Sequence, residues 1–204
     1  MQTAEEVLDR LKNGNERFVK GETKHQKILS HQERALMAET QEPFAIILGC
    51  SDSRVPAELV FDQGLGDLFV IRVAGNIVAP SQVGSVEFAV DSFACPLVVV
   101  LGHTHCGAID STIEALRNPD QALSVNLMSI VNRVRPSVEI LMQTELKDDL
   151  KKLSCHAVRS NVFASVNQLR HGSAVLESFI SKGQLKVVGA EYSLETGEVT
   201  FFDF

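Results

Sequence analysis

At 204 residues the chain is long enough to bury one sizeable core and too short to favour two full domains. With 45% hydrophobic and 22% charged residues, and no run near the ~20 apolar residues a membrane span requires, a membrane-crossing protein is disfavoured and a soluble globular one expected. The net charge of −7, with lysines and arginines scattered rather than gathered in a stripe, disfavours nucleic acid as a partner.

The chain opens with Glu5, Glu6 and Asp9 and lacks the basic start and apolar block of a secretory leader. That predicts a cytoplasmic protein, in which the four cysteines stay reduced and serve packing or metal binding. Thr3 with Glu6 forms a capping-box signature, and Val7, Leu8 and Leu11 follow at helical spacing, so an amphipathic helix is expected to end near Asn13-Gly14. From Lys24 to Gln41 apolar residues are too sparse for a second core, which reads as an arm that packs on something else.

Phe44 to Leu48 and Leu97 to Leu101 are short apolar runs bounded by proline and glycine, as expected of strands covered on both faces. Leu68 to Val73 and Leu185 to Val188 are two further strand candidates. Between them lie helical stripes at Val83, Val86, Val90 and Phe93, at Ile109, Ile113 and Leu116, and at Leu123, Leu127, Ile130 and Val134. Pro56 suits the start of a helix containing Ala57, Glu58 and Leu59. Val187 to Tyr192 and Val199 to Phe202 flank Glu195-Thr196-Gly197, a turn composition that predicts a hairpin.

Strands alternating with helices predict an α/β fold: a mostly parallel central sheet with flanking helices, an N-terminal helical arm and a C-terminal hairpin. The expected organisation is one domain over residues 1–204, with the arm at 1–41 and the α/β core at 42–204. Gly64 and Gly66 lack the lysine and hydroxyl residue of a phosphate-binding loop, so nucleotide binding is not indicated.

Cys50 and Cys106 both fall just beyond the two best strands, where open α/β sheets bind ligands. A helix beginning near His103 would put His103 and Cys106 on one face, with His105 pointing elsewhere and Cys50 arriving from the adjacent strand. Two thiolates and one imidazole suit zinc, and three protein ligands leave a fourth position for water or substrate. Cys95, Cys155, His25, His31, His156 and His171 read instead as packing or surface groups.

The run Cys50-Ser51-Asp52-Ser53-Arg54, followed by His103-x-x-Cys106-Gly107, resembles the zinc signature of beta-class carbonic anhydrases. The resemblance extends through Phe69-Val70-Ile71-Arg72-Val73-Ala74-Gly75-Asn76, the Glu87-Phe88-Ala89-Val90 helix and the closing Gly197-Glu198-Val199 hairpin, and so covers nearly the whole chain. It implies a lyase that hydrates carbon dioxide reversibly to bicarbonate and a proton, through hydroxide on one zinc ion per chain. By the same resemblance Cys50, His103 and Cys106 hold zinc, Asp52 and Arg54 form a catalytic dyad, and Asp52 joins the metal only in a closed state. Gln41, nine residues before Cys50, resembles the substrate-binding glutamine of the open subtype. Ile47 stands where the bicarbonate-regulated subtype has tryptophan, and the chain contains none. Arg72 matches an arginine of both subtypes. Self-association as a dimer or tetramer is implied too, with pockets partly lined by the neighbouring chain; Phe88 is a candidate for that lining, although its place on a helix stripe favours the core.

Two other readings remain at this point. The same metal site could hydrolyse carbon disulfide or carbonyl sulfide, or Cys50, Asp52, His103 and Cys106 could be four fixed ligands of a structural or sensor zinc.

Overall fold

The computed structural model describes residues 2–25, 30–120 and 122–202. Part of the predicted arm, residues 26–29, and the chain's first and last residues therefore lie outside the described residues.

The opening helix α1 spans Ala4–Lys20, started by the Thr3–Glu6 capping box and ended by Gly21 in the left-handed conformation. It runs past the predicted stop at Asn13-Gly14 for a steric reason. A Cβ at Gly14 would lie 1.8 Å from the Phe61 carbonyl oxygen, so glycine here admits a backbone crossing rather than ending a helix. Val7 and Leu11 are buried beneath α1, and Asn15 donates to the carbonyls of Val60 and Gly197 while accepting from Val199 N–H. The start of the arm is fixed as well: the buried Asp62 carboxylate accepts from the backbone N–H groups of Lys24 and His25 and from Arg17. Beyond it, α2 (His31–Leu36) buries none of its residues.

Strands β1 (Ala45–Gly49), β2 (Leu68–Arg72), β3 (Leu97–His103), β4 (Lys186–Tyr192) and β5 (Val199–Phe202) form one 5-stranded sheet in the order β2-β1-β3-β4-β5. All pairs are parallel except β4 with β5, which is the predicted hairpin. Every residue of β1 and β3 is buried, which is why both read as unbroken apolar runs. One face packs Ile47, Val99 and Leu101 against α1 and α3 (Ala57–Val60); the other packs Ile46, Leu48, Val98 and Val100 against α4 (Pro80–Phe93) and later helices.

Beyond β3 come α5 (Gly107–Arg117) and α6 (Val125–Met142), the latter capped by Ser124 so that Leu123 of the predicted stripe stays outside it. Then follow α7 (Leu150–His171) and α8 (Ala174–Ser181). At 22 residues α7 is the longest helix described, and Leu153, Val158, Val162, Val166 and Leu169 form an apolar stripe along it in addition to those predicted. Its buried face includes Ala157, Asn161 and Ser165, small or polar groups that interrupt the pattern. No described helix is long and apolar enough to cross a membrane.

The connection after β1 folds onto the face that carries α1, whereas α5 after β3 packs with α6 and α7. Adjacent parallel strands whose chains leave in different directions open a crevice at their carboxyl ends.

Candidate metal centre

Cys50 is the first residue past β1 and His103 is the last residue of β3. The pairing of Gly49 with Leu101 sets these two at neighbouring levels of the sheet edge. Cys106 follows as the N-cap of α5. The predicted helix beginning near His103 is therefore replaced by a turn: His103 is still strand, and His105 adopts a left-handed φ of 55° that swings Cys106 back over the strand ends.

The outcome is a compact donor set. One ligand atom each from Cys50, His103 and Cys106 lies within 4.8 Å of the others, and all three residues are buried. The two Sγ atoms are 4.0 Å apart. Two thiolates on a tetrahedral zinc, at about 2.3 Å each, would sit ~3.8 Å apart. The Nδ1 of His103 lies 2.8 Å from the Thr104 carbonyl, which fixes it as the protonated nitrogen. That leaves Nε2 free to ligate, and Nε2 is buried with no hydrogen-bond partner among the described residues. An orphaned buried nitrogen beside two sulfurs fits a cation.

Electrostatics points the same way. The Cys106 thiol, held as donor, pulls the Cys50 thiol down to about 4, while the thiolate so formed and burial push Cys106 up. The opposed shifts show that two thiolates this close repel each other, a cost that a divalent ion between them would relieve. Gly75 N–H donates to Cys50 Sγ at 3.4 Å.

Asp52 stands beside this cluster with its Oδ2 4.0 Å from His103 Nε2. Arg54 holds both carboxylate oxygens, Nε to Oδ1 at 2.9 Å and Nη2 to Oδ2 at 2.8 Å, and its own N–H donates to Oδ1 at 3.0 Å. These bonds keep Asp52 well below the ordinary carboxylate range. Arg54 Nη2 also reaches the His105 carbonyl at 3.3 Å, tying together the segments that carry Cys50 and Cys106. Arg72 donates to the carbonyls of Cys50 and Asp52, at 2.9 and 2.6 Å, where the β1–β2 ladder has run out of partners.

Sequence reasoning missed Glu195. From the hairpin turn it accepts from Thr104 Oγ1 at 2.9 Å and meets His105 Nε2 at 2.6 Å, and His105 holds its carboxyl down at about 2. A charged residue in a turn carries no sequence signal for such a contact.

Gln41 is not brought to the cluster within one chain. It precedes β1 and lines a 540 Å³ cleft with Gln2, Phe44, Ser92 and Phe93, at the opposite end of the strand from Cys50. At ~3.3 Å per residue the strand alone separates them by about 16 Å. Phe88, expected in the core, is 53% exposed and joins Phe69 and Phe93 in an aromatic cluster beside the edge strand β2. Its helix stripe buries Val86 and Val90 instead, with Phe88 pointing off that face.

The family model described as carbonic anhydrase matches residues 45–199. Carbonic anhydrase 2 of Mycobacterium tuberculosis is 40% identical over 193 residues, spanning 95% of this chain and 90% of that protein. The carbonic anhydrase of Mycolicibacterium smegmatis is 38% identical over 191 residues, spanning 93% and 88%. Among solved structures, the beta-carbonic anhydrase CcaA superposes with a TM-score of 0.76 at 25% identity, over 97% of this chain and 95% of that one. The beta-carbonic anhydrase CafA of Aspergillus fumigatus gives 0.73 at 29% identity, over 85% and 82%.

Proposed function

The chain belongs to the beta-class carbonic anhydrase family, and from that premise we propose that it interconverts carbon dioxide and bicarbonate with one zinc ion held by Cys50 Sγ, His103 Nε2 and Cys106 Sγ. The observation that carries the zinc assignment is the buried His103 Nε2, left without a partner beside two sulfurs at tetrahedral spacing. When bound, zinc supplies a Lewis acid that makes water a usable nucleophile near neutral pH.

The chain's own residues do the rest. Asp52, kept ionised and pinned by Arg54, offers a lone pair of Oδ2 on the ligand side, where it accepts a hydrogen bond and orients the nucleophile. Arg54 binds both oxygens through its planar fork, which a lysine reproduces only as a point charge. Because Arg54 anchors both oxygens of Asp52 and holds Oδ2 4.0 Å from His103 Nε2, an open site is favoured over one in which Asp52 is itself a ligand. The same arrangement argues against a structural site with four fixed protein ligands. Hydrolysis of carbon disulfide or carbonyl sulfide gains no support from the relatives named above, which all carry the carbonic anhydrase name.

Gln41 serves as a substrate donor only if another copy presents it, so the substrate-binding role implies a dimer or a tetramer built from dimers. Exposed Phe88 and the uncovered α2 belong to the surface such a copy would cover. The compartment we propose is the cytoplasm, where a reducing environment keeps thiols such as those of Cys50 and Cys106 unoxidised. Stopped-flow carbon dioxide hydration, before and after zinc is removed by a chelator and restored, tests the assignment. Activity should vanish and return with the metal; activity indifferent to it would refute the reading.

A further inference from the structure

The side chains that could act on the candidate metal centre do not end at the dyad. Gly75 N–H is aimed at Cys50 Sγ, and Gly75 and Asn76 both sit at positive φ, 71° and 43°. Two successive residues in that region are sparsely populated, and for Asn76 the conformation is costly unless the surroundings enforce it. A Cβ on Gly75 would also lie 3.0 Å from that of Ala108, so the turn is pressed against the start of α5.

What enforces the turn comes from far along the chain. Asn161 Nδ2 donates to the Gly75 carbonyl at 2.7 Å, and Ser165 Oγ donates to the Asn76 carbonyl at 3.1 Å. These two residues lie one helical turn apart on α7 and are only 2% and 4% exposed. They interrupt a face that otherwise buries Leu153, Val158, Val162, Val166 and Leu169, a place where aliphatic residues would pack without any need of partners. Fixing the plane of the peptide that follows Gly75 restricts rotation at Gly75, and with it the direction of its N–H.

We propose that Asn161 and Ser165 are positioning residues for the metal centre: by clamping consecutive carbonyls of the Ala74–Asn76 turn they hold Gly75 N–H on Cys50 Sγ, and so set the strength and lifetime of that sulfur's bond to the ion. This rests on the zinc reading given above. An N–H donor draws electron density from a thiolate, and outer partners of this kind orient ligands and tune metals. Without it the sulfur is more electron-rich, less well aimed and easier to detach.

The test uses the full-length protein loaded with cobalt(II) for spectroscopy and with zinc for release into a chromogenic chelator. Asn161→Leu keeps the branching of the side chain and removes the donor. It should shift the sulfur-to-cobalt charge-transfer band to longer wavelength and release zinc about 10-fold faster. Ser165→Ala should move both readouts the same way by less, and carries the test if Asn161→Leu does not fold. Val166→Ala is the control: it opens a cavity on the same helix but removes no hydrogen bond to the turn, and should lower the melting temperature while leaving band and release rate as in wild type. Donor-removing variants whose band and release rate match wild type, or that change only as Val166→Ala does, would overturn the proposal. A wild-type protein that takes up no stoichiometric cobalt, or shows no thiolate charge-transfer band, would instead overturn the metal reading beneath it.

Discussion

Arg54 and Asp52 lie two residues apart and are joined three times, by two guanidinium nitrogens and one backbone N–H on the two carboxylate oxygens. The pair turns a flexible acid into a fixed acceptor with its Oδ2 4.0 Å from His103 Nε2. Asp52→Asn, nearly isosteric, should therefore retain metal and fold but lower kcat by about 100-fold or more, the scale of a lost positioned acid–base group. Arg54→Lys should cost less, about 10-fold, because the charge remains while the fork is lost. Steady-state hydration rates on metal-replete variants check both, and full activity in Asp52→Asn would rule out the dyad.

The depressed acidity of Asp52 has a signed consequence. Its folded value lies below the unfolded carboxylate's, near 3.9, so the pair's contribution is complete above that pH and is lost only as pH falls through the lower folded value. Asp52 therefore does not titrate between pH 6 and pH 9. On the proposed zinc reading the group that titrates across that window is water on the metal, and two thiolates that cancel the charge of zinc would leave such water less acidic than a three-histidine site would, with its pKa of about 7. kcat/KM should climb from neutral to pH 9; a flat or falling profile would contradict the proposed donor set.

If Gln41 completes the pocket of a neighbouring copy, the defects of Gln41→Ala and Asp52→Asn lie in different chains of the same site. Each variant alone should be impaired. Mixed oligomers formed by unfolding and refolding the two together should recover activity, because one site of each mixed pair then has both residues intact. No recovery, with mixed oligomers verified by mass, would confine Gln41 to its own chain and remove its substrate role.

Gly14 supplies a test of the fold rather than of the chemistry. Its absent side chain lets α1 cross the backbone at Phe61, where a Cβ would stand 1.8 Å from a carbonyl oxygen. Backbone cannot swing aside as a flexible side chain can, so Gly14→Ala should destabilise the protein by about 3 kcal/mol despite its better helix propensity. Chemical denaturation measures this, and unchanged stability would mean that α1 sits farther from the backbone at Phe61.

The parts legible in the sequence are those whose physics is local. β1 and β3 are covered on both faces and so read as continuous apolar runs, and the β4–β5 hairpin announces itself through Gly197 between two strand patterns. Cys50, His103 and Cys106 could be nominated because each lies at or just past a strand end. The turn joining the last two is not legible in the sequence, because the left-handed φ of His105 has no compositional marker. Helix α7 carries Leu153, Val158, Val162, Val166 and Leu169 at helical spacing and is open to a sequence reading; what the pattern does not disclose is why Asn161 and Ser165 share that buried face. Their contacts with Gly75 and Asn76, like that of Glu195 with His105, join residues far apart in sequence and exist only once the chain has folded.

X-ray absorption at the zinc edge on gently purified protein addresses the donor set itself. The account predicts one zinc per chain, with two sulfur neighbours at about 2.3 Å, one imidazole nitrogen at about 2.0–2.1 Å and one further light atom from solvent. Absence of stoichiometric zinc, or a first shell without two sulfurs, would contradict it.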